Sequence, residues 1–532
     1  MNNSFNVHHA IRISAVAAGM TVSILCSSMP VKAAATVAID ASNFPDQVFR
    51  DYVSAAFDSN KDGNLNDTEI QNAMTIDMKN SSYNGAECTD YTGVSYLTNL
   101  QTFQIDGDYT DKNGQLLLYG IVGPTDLDLS SNTKLTNISA SYTNLASITL
   151  PASVQNLNVS NCHLDTIDLS KCADLTYAGV NTNKLESLNI SKCTKLQKLY
   201  AEGNDIADNN LILHTEDNST LFEISVSTNF NLTTMDVSHE LGLKYLMMNG
   251  TNFTSGIDLS QNIILEKLYC YDAHLPALNL TGNTSLNYVW CDSSSTQKLT
   301  LNSNTVLATL KANTSTTVGS TTVKMSAAIT AASGISGISN YSVDMQAGNN
   351  AVSALSTQSG IVSAVGADFT FQDNSGNEVH QPQTSGTATL TMDLSNSGLE
   401  TPAADEEYVV YHKDGDTVTE VAGATVNSAE TATVPAASFT GYYVAVRKKS
   451  ISSKPAVQKT ESNTDTTWCI TYLDCSGNTV KVQWVKYGEN AAAPAGYSYP
   501  EVNHVTAHQD IRPTSCNVTG GYVVPNTADR SN

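Results

Sequence analysis

The chain has 532 residues, of which 15% are charged and 41% are hydrophobic. It carries 51 Asp and Glu against 27 Lys and Arg, a formal net charge of −24 at pH 7. Nucleic acids and anionic membrane surfaces favour proteins rich in Lys and Arg, so this balance argues against both as partners. The length exceeds that of one compact domain, which leaves several modules or a repeat architecture.

The N-terminus has the pattern of an export signal. A segment with two His and one Arg at 8–12 precedes an apolar run at 13–29, and small residues follow at 33–35. This order predicts a signal peptide over 1–35 that is removed by cleavage. A membrane anchor is the alternative, but serines interrupt the short apolar run. No later segment is apolar enough to span a bilayer, so we expect no membrane insertion after signal removal.

Residues 58–69 read DSNKDGNLNDTE and match the spacing of an EF-hand loop. Gly63 stands at the sharp turn of that loop and Leu65 at its apolar eighth position. Ca²⁺ is bound by about six to eight oxygen atoms, and this loop places oxygen-bearing side chains at the required positions. The predicted metal ligands are Asp58, Asn60, Asp62, Asn64, Asn66 and Glu69. The alternative is a polar turn that binds no metal.

The flanking segments predict a helix on each side of this loop. Residues 45–57 have apolar side chains at helical spacing, and 68–74 can start the exit helix. The end of a repeat stack exposes an apolar edge that must be covered. We therefore expect the helix pair to act as a calcium-stabilised cap rather than as a calcium sensor.

From about residue 127 to 313, an aliphatic-x-aliphatic triplet recurs every 10 or 11 residues, giving a repeat of about 21 residues. A unit this short cannot bury its own apolar face, so successive coils must stack into a solenoid. One half of the repeat follows an LxLxxNxL pattern, as at 199–206, and the other reads LDLSxN, as at 127–132. Both halves resemble leucine-rich repeats. The resemblance implies that the first half forms a concave parallel strand whose Asn or Cys bonds the backbone of the next coil.

About nine coils are predicted, beginning near Ile138, Leu157, Ala178, Leu199, Ile224, Leu246, Leu268, Val289 and Leu310. One interval is long, and we expect residues 205–218 to bulge out as a loop. Four cysteines recur in phase with the repeat, which predicts free thiols inside the core. They are Cys172, Cys193, Cys270 and Cys291.

Beyond residue 313 the repeat stops. Alternating segments such as 387–394, 408–411 and 442–446, with turn residues between them, predict a β-sandwich. A segment rich in Ser, Lys, Pro and Thr then predicts a linker, and a hairpin follows around residues 469–485. The pattern leaves open whether Cys469, Cys475 and Cys516 form a disulfide.

Residues 44–70, followed by GVSYLTNLQTFQI at 93–105, resemble the N-terminal module of secreted internalin-like leucine-rich repeat proteins of Gram-positive bacteria. In those proteins a single EF-hand-like helix pair precedes the solenoid. The segments after the solenoid resemble their Ig-like modules and their β-grasp repeats, although the later Gly-Trp pair of the β-grasp repeats is missing here. The resemblance implies a secreted or cell-surface-associated protein.

The predicted fold is mainly β. Its modules are a signal peptide at 1–35, an EF-hand-like cap at 36–90, a leucine-rich repeat solenoid at 91–315, an Ig-like β-sandwich at 316–447, a linker at 448–466 and a small β-grasp-like module at 467–532.

The outward positions of the concave strands predict a binding surface. Small polar residues line the early coils, whereas large apolar residues cluster in the late ones. The predicted ligand-binding residues are Tyr200, Met247, Tyr269, Tyr271 and Trp290. Exposed aromatic rings on rigid strands serve both protein recognition and sugar stacking. The alternative is an aromatic ladder that only stabilises neighbouring strands.

The chain has no HExxH, GxSxG or P-loop motif, and His504 and His508 with Cys516 lack a fourth zinc ligand at a suitable spacing. The sequence therefore predicts a non-catalytic binding or adhesion protein that recognises an extracellular protein or glycan. The alternative is a secreted polysaccharide-acting enzyme or its accessory subunit, because paired carboxylates converge only in the folded chain. The pattern does not decide the oligomeric state.

Overall fold

The computed structural model describes residues 36–79, 88–108, 115, 122–292, 299–302, 305–382, 386–427 and 430–449, together with the backbone of 467–473, 479–486 and 508–511. The chain divides into two compact units, Met1–Lys449 and Ser450–Asn532. The predicted signal peptide at 1–35, nearly all of the predicted linker, and Cys475 and Cys516 lie outside the described residues. No helix within the described ranges is long and apolar enough to cross a membrane.

The first unit begins with a helix pair. Helix α1 (Gln47–Phe57) starts at Asp46, whose carboxylate accepts hydrogen bonds from the N–H groups of Val48 and Phe49. Phe49, Tyr52 and Val53 share one face of this helix and are buried. Spacing of three and four residues thus produces the packed stripe that the sequence predicts.

A two-stranded ribbon joins the loop between the helices to the preceding chain. Strand β1 (Val37–Ala38) pairs antiparallel with β2 (Asn64–Leu65). Helix α2 (Asp67–Asn72) then starts at Asn66 with a capping box, in which Glu69 also bonds the Asn66 N–H. The single EF-hand-like loop therefore finds its strand partner in the segment before α1.

Short strands, with a 3₁₀ turn at Val94–Tyr96, make up the solenoid. They are β3 (Thr75–Asp77), β4 (Thr102–Gln104), β5 (Asp126–Asp128), β6 (Asn137–Ser139), β7 (Ser147–Thr149), β8 (Asn156–Asn158), β9 (Tyr177–Gly179), β10 (Leu188–Asn189), β11 (Lys198–Tyr200), β12 (Leu211–Ile212), β13 (Glu223–Ser225), β14 (Tyr245–Met247), β15 (Lys267–Cys270), β16 (Leu278–Leu280), β17 (Tyr288–Asp292) and β18 (Leu299–Leu301).

One strand from each coil joins a single long sheet. Its solenoid part runs β3-β4-β6-β8-β9-β11-β13-β14-β15-β17, with parallel pairing throughout. The nine predicted coil starts are all strand residues with buried side chains, so the mainly β solenoid of about nine coils is confirmed. Ile76 and Phe103 occupy the same position in two earlier strands. The stack therefore begins directly after α2.

The repeat pattern did not predict these two earlier strands, because their spacing is irregular. Ile76, Phe103 and Ile138 are register partners across neighbouring strands, yet the intervals between them differ from the regular repeat of about 21 residues. Because β3 follows α2 directly and pairs with β4, the helix pair is joined to the solenoid by backbone hydrogen bonds as well as by packing. One continuous hydrophobic core runs from Phe44 to Val444.

Buried asparagines connect successive coils. Asn183 Nδ2 donates to the carbonyl oxygens of Val159 and Val180 at 2.9 and 3.0 Å, and its Oδ1 accepts the Leu164 N–H at 3.0 Å. Val159 and Leu164 belong to the preceding coil. The asparagine therefore bonds the backbone of the preceding coil, whereas the resemblance implied a bond to the next coil. The same arrangement recurs at Asn204 and Asn229.

We expect Asn183→Ala to lower the free energy of unfolding by about 2 to 4 kcal/mol, because it strands buried backbone donors and acceptors in two coils. Urea denaturation followed by circular dichroism measures this loss. The exposed Asn156→Ala serves as the control and should change stability by about 0.5 kcal/mol or less. Equal effects of the two substitutions would show that the buried bonds do not hold the coils together.

Cys172 and Cys193 take the place of asparagine in the LDLSxN pattern, and Cys270 and Cys291 occupy inward strand positions. Cys172, Cys193, Cys270 and Cys291 are free and buried, as the repeat phase predicts. Burial raises the pKa of Cys172 to about 11 and that of Cys193 to about 12. Both therefore remain protonated thiols near neutral pH, with little nucleophilic character.

The long interval at 205–218 is packed rather than bulged, so the predicted loop is wrong. It contributes β12, which pairs parallel with β10, and it buries Leu213 and His214. Glu240 is fully buried in the following coil, and His214 Nδ1 lies 3.0 Å from each of its carboxylate oxygens. His214 Nε2 lies 3.2 Å from the Cys193 carbonyl oxygen.

Both acceptors require a donor from the ring. A carbonyl oxygen and a carboxylate only accept, so this geometry is fully satisfied when both ring nitrogens of His214 carry a proton. Burial alone would lower the pKa of His214, but the bonds to Glu240 and its charge raise it above the usual value of 6.5. The buried Glu240 at a ladder position is thus paired with His214 from the 205–218 segment.

The raised pKa of His214 predicts a pH-dependent stability. Its contribution is complete below pH 6.5 and is lost as pH rises through the raised native pKa. His214→Leu should cost about 3 to 5 kcal/mol at pH 6, because it leaves the Glu240 carboxylate buried without its partner. Denaturation series between pH 5 and 9 measure both effects.

The matched control removes both charges. His214→Leu combined with Glu240→Asn restores the asparagine found at the equivalent ladder positions Asn262 and Asn283. This double variant should recover most of the loss and should no longer weaken above pH 6.5. If it keeps the wild-type pH dependence, another group is responsible.

The remaining elements of the first unit form a sandwich. They are β19 (Leu307–Val318), β20 (Thr321–Ile335), β21 (Asn340–Ala347), α3 (Gly348–Ala354), β22 (Ile361–Gln372), β23 (Ala388–Asp393), β24 (Glu406–Asp414), β25 (Thr417–Glu420), β26 (Thr425–Val426), β27 (Thr431–Ala436) and β28 (Gly441–Lys448). The predicted strand segments fall on β23, β24 and β28. Strand β20 and the part of β19 beyond residue 313 were not predicted, because their Ala, Ser and Thr residues give weak hydrophobic alternation.

Both sheets of the sandwich continue into the solenoid. Strand β19 pairs parallel with β17 and antiparallel with β20, so the long sheet continues through β20, β23, β27 and β26. The second sheet runs β16-β18-β21-β22-β28-β24-β25 and begins with two solenoid strands. Strand β19 crosses the predicted module boundary at 315/316, and the division into modules stays a prediction.

The described part of the second unit is a three-stranded sheet. Strand β29 (Thr467–Leu473) pairs antiparallel with β30 (Thr479–Lys486) and parallel with β31 (His508–Ile511). The predicted hairpin is therefore present.

Candidate ligand-binding face and calcium loop

The three-residue solenoid strands of the long sheet point one central residue inward and its two neighbours outward, and β15 and β17 continue this alternation with Cys270 and Cys291 inward. Leu199, for example, is buried between the half-buried Lys198 and Tyr200. Parallel register aligns these outward residues into columns. One column contains Ser139, Asn158, Gly179, Tyr200, Ser225, Met247, Tyr269, Trp290 and Lys311, as predicted.

A second outward column lies on the other side of the buried residues. It contains Asn137, Asn156, Tyr177, Lys198, Glu223, Tyr245, Lys267, Tyr288 and Thr309. Sequence reasoning missed this column, although the period-2 alternation of a strand requires it. The sequence signal for this column was the residue that precedes each inward aliphatic residue.

The late coils bring their large side chains into direct contact. The Tyr269 ring lies 4.9 Å from Tyr288 and 6.3 Å from Trp290, and the Tyr271 ring stacks on Trp290 at 4.2 Å. Met247 is the register partner of Tyr269. All of these side chains are half-buried. With Tyr245 they form the late aromatic surface: Tyr245, Met247, Tyr269, Tyr271, Tyr288 and Trp290.

Trp290 is held from several directions within this surface. Tyr271 stacks on its ring, Lys311 Nζ lies 3.4 Å from the ring centroid, and Nε1 donates to Asn313 Oδ1 at 2.8 Å. Tyr271 approaches from the β15 side and Lys311 from the β19 side. The indole is therefore largely engaged with its neighbours.

Tyr200 lies apart from the other predicted ligand residues. Strand β13 separates its strand from that of Met247. Its ring lies 5.7 Å from Tyr177, and its hydroxyl donates to Glu223 Oε1 at 2.6 Å. The structure thus brings together four of the five predicted ligand residues and leaves Tyr200 in an earlier, separate pair.

Charged groups flank the late aromatic surface. Lys244 Nζ lies 2.9 Å from Glu266 Oε1, and Lys267 Nζ lies 5.5 Å from the Tyr245 ring centroid. Farther along the face, the buried oxygens Glu202 Oε2 and Asn249 Oδ1 accept no hydrogen bond within the described residues. The face therefore combines apolar rings with charges of both signs, and the two oxygens beside it are buried.

The predicted calcium loop folds around Asp58. This buried carboxylate follows α1 directly and accepts the N–H groups of Asp62 at 3.2 Å and Gly63 at 2.9 Å. Gly63 has a φ of +77°, a conformation that glycine adopts without strain. Asn60 Oδ1 also accepts the Asp62 N–H at 2.9 Å. The loop therefore has the sharp turn that the EF-hand spacing predicts.

Glu69, the predicted bidentate ligand, is buried and turned towards backbone amides. Its Oε1 accepts from Ser59 N and Oγ at 2.9 and 2.8 Å, and its Oε2 accepts from Asn66 N at 3.0 Å. The Asn66 N–H in particular holds the pKa of Glu69 below its usual value. No group of three or more His, Cys, Asp or Glu within the described residues is gathered for metal binding.

The donor chemistry nevertheless suits calcium. The loop offers only carboxylate, amide and carbonyl oxygens, which are the ligands of a hard cation. Among the described residues, no Lys or Arg forms an ion pair with Asp58, Asp62 or Glu69. The calcium site and its six ligands stay a prediction.

No protein-family model and no curated protein matches this chain. Among solved structures, the functional domain of InlJ from Listeria monocytogenes, which includes a cysteine ladder, is 18% identical; the match covers 65% of this chain and 97% of that chain with a TM-score of 0.28.

Two further solved structures are similar at the same level. Internalin C2 from Listeria monocytogenes is 16% identical over 48% of this chain and 97% of that chain, with a TM-score of 0.32. The APL1 leucine-rich repeat domain is 18% identical over 45% of this chain and 73% of that chain, with a TM-score of 0.30. The solenoid assignment rests on the strands and ladders of this chain itself.

Proposed function

We propose that this chain is a non-catalytic binding protein that recognises an extracellular protein partner through the late aromatic surface. The observation that carries the proposal is the contact of Tyr269 with Tyr288 and Trp290 on hydrogen-bonded parallel strands. Rings held in this way lose little conformational entropy on binding, which lowers the cost of association.

The composition of this surface favours a protein over a small ligand. Tyr, Trp and Met are enriched at the centres of protein interfaces, where charged residues form the rim. Here Lys244 and Glu266 stand at the edge, and Lys267 lies among the rings, between Tyr245 and Tyr288 in the second outward column. An open sheet face also offers the extended contact that a macromolecule requires, whereas small ligands favour enclosed pockets.

Substitution of the central tyrosines tests this proposal. Tyr269→Ala and Tyr288→Ala should each weaken partner binding about thirtyfold, the usual consequence of truncating a central aromatic anchor by about 2 kcal/mol. A display library of extracellular protein domains, screened against the full chain, supplies the partner, and surface plasmon resonance measures the affinity.

Two matched controls lie on the early coils of the same face. Asn137→Ala and Asn156→Ala remove outward residues from the same column as Tyr288 and should leave the affinity within about twofold of wild type. Circular dichroism establishes that all four variants are folded. If the tyrosine variants bind as tightly as wild type, the rings are a structural ladder and the proposal is wrong.

The export pattern at 8–35 supports a secreted or cell-surface-associated protein, and the oxygen-rich loop supports calcium binding by the cap. Calcium would take Asp58, Asn60, Asp62, Asn64, Asn66 and Glu69 as ligands, with Glu69 exchanging its backbone hydrogen bonds for the ion. Since β3 follows α2 directly, a bound ion would stiffen the first strand of the long sheet.

We expect calcium to add about 1.4 kcal/mol to the unfolding free energy of the cap at a concentration of about tenfold the dissociation constant. That constant is expected near 10⁻⁴ to 10⁻³ M, as in extracellular EF-hand modules. Isothermal titration calorimetry and calcium-dependent thermal unfolding measure both quantities.

Glu69→Gln should abolish the calcium heat, because the amide cannot provide two anionic oxygens. It retains the capacity to cap α2. Asp67→Asn, an exposed acidic residue in the first turn of the same helix, is the control and should bind calcium like wild type. Identical heats for wild type and Glu69→Gln, or no heat in either, would exclude the site.

The alternative function, a polysaccharide-acting enzyme, gains support from one group. Burial and the neighbouring Asp272 charge raise the pKa of Asp292 to about 6, within the range of a general acid. Incubation of the full chain with extracellular polysaccharides, followed by chromatography of shorter products, distinguishes this function from binding alone.

A further inference from the structure

A cleft of about 490 Å³ opens on the outward face of the long sheet, where the last solenoid strands meet the first sandwich strands. Its volume lies within the range of small-ligand sites, about 300 to 1,000 Å³. It extends from Trp290 towards the sandwich and includes none of the tyrosines of the late aromatic surface. It shares Trp290 with the late aromatic surface but extends away from the tyrosines, so the two candidates can be tested with different residues.

The floor of the cleft is one rung of the sheet. Asp292 on β17 is the register partner of Asn313 on β19, Asn313 of Ser326 on β20, and Ser326 of Asp393 on β23. Neighbouring strands lie about 4.8 Å apart, so the two aspartates stand about 14 Å apart at the ends of the rung. Two neutral hydrogen-bonding side chains occupy the centre.

Two lysines lie on opposite sides of this rung. Lys311 precedes Asn313 by two residues on β19, and Lys324 precedes Ser326 by two residues on β20. These strands run antiparallel, so the two side chains stand beyond opposite edges of the rung, on the same face of the sheet. The cleft thus alternates carboxylates and ammonium groups around a neutral centre.

These charges are held apart rather than neutralised. Within the described residues, none of Asp292, Asp393, Lys311 and Lys324 forms an ion pair. Burial, and then the negative charge of Asp272, raises the pKa of Asp292 to about 6, and burial lowers that of Lys311. Lys311 Nζ lies over the Trp290 ring instead, and Asp393 Oδ1 accepts hydrogen bonds from Ser395 N and Oγ. Asp292 and Lys311 are half-buried without an opposite charge, which costs stability, whereas Asp393 and Lys324 are exposed. Such a cost beside an open cleft favours a role in binding.

The arrangement selects the chemistry of the ligand. A simple anion or cation would meet a like charge at every second position. A hydroxyl group both donates and accepts, so a polyhydroxylated neutral molecule can bond the carboxylates, the ammonium groups, Asn313 and Ser326 together. We propose that this cleft binds a short, uncharged oligosaccharide that spans the rung from Asp292 to Asp393.

Saturation-transfer NMR on the full chain tests the proposal with three defined probes: cellotriose, maltotriose and tri-N-acetylchitotriose. At least one should show saturable transfer at about 10 mM or below, a concentration tenfold above a millimolar dissociation constant. Asp393→Asn and Lys324→Gln should each weaken that probe about tenfold, because each removes a hydrogen bond to a charged group. Asp393→Asn keeps the Oδ1 acceptor of the adjoining turn.

Charge-matched controls lie far from the cleft in sequence and are exposed. Asp416→Asn and Lys134→Gln should bind the probe like wild type. Ser326→Phe provides a second variant, which fills the centre of the rung without changing any charge and should abolish transfer. Thermal unfolding establishes that every variant is folded.

Three results would overturn the proposal: no saturable transfer from any of the three trisaccharides, equal transfer in wild type and in all three cleft variants, or transfer only from triglycine, a zwitterionic probe measured in parallel. The last result would assign the cleft to a peptide terminus. Each of these outcomes is independent of whether Tyr269 and Tyr288 bind a protein partner.

Discussion

Hydrogen bonds from buried side chains to the backbone of neighbouring coils are the constraint on which this structure depends. A coil of about 21 residues leaves turn amides and carbonyls that its own backbone cannot pair, and Asn183, Asn204 and Asn229 pair them across two coils at once. The same demand explains the inserted segment at 205–218. Where Glu240 occupies a ladder position, that segment supplies His214 as its buried partner.

Because the ladders fix each coil against the next, the outward side chains of the long sheet stand on a rigid, regular lattice. This regularity makes the late aromatic surface a preorganised set of rings rather than scattered exposed residues. This regular arrangement of strands continues beyond the solenoid into the sandwich. Strand β19 carries it into β20 and β23, so residues far apart in sequence, such as Asp292 and Asp393, share one rung and face one cleft.

The cap is also held by contacts on both sides of its loop. The loop at 58–69 is tied to β1 on one side, and α2 leads directly into β3 on the other. Any ligand that orders the loop therefore acts on the edge of the sheet from which the stack begins. The single core from Phe44 to Val444 couples the cap, the solenoid and the sandwich by packing as well as by hydrogen bonds.

The sequence by itself determined the solenoid, its strand centres from Ile138 to Leu310 and the buried free thiols. It also determined that Met247, Tyr269, Tyr271 and Trp290 lie near one another. Each of these features follows from the regular spacing of the repeat, which every stacked coil preserves. Only the tertiary structure decided what depends on contacts between distant segments. The insertion at 205–218 packs through His214 and Glu240, Trp290 is engaged by Tyr271 and Lys311, and the cleft joins β17 to β23. Periodicity specifies which face a residue occupies, but non-local contacts specify what meets it there.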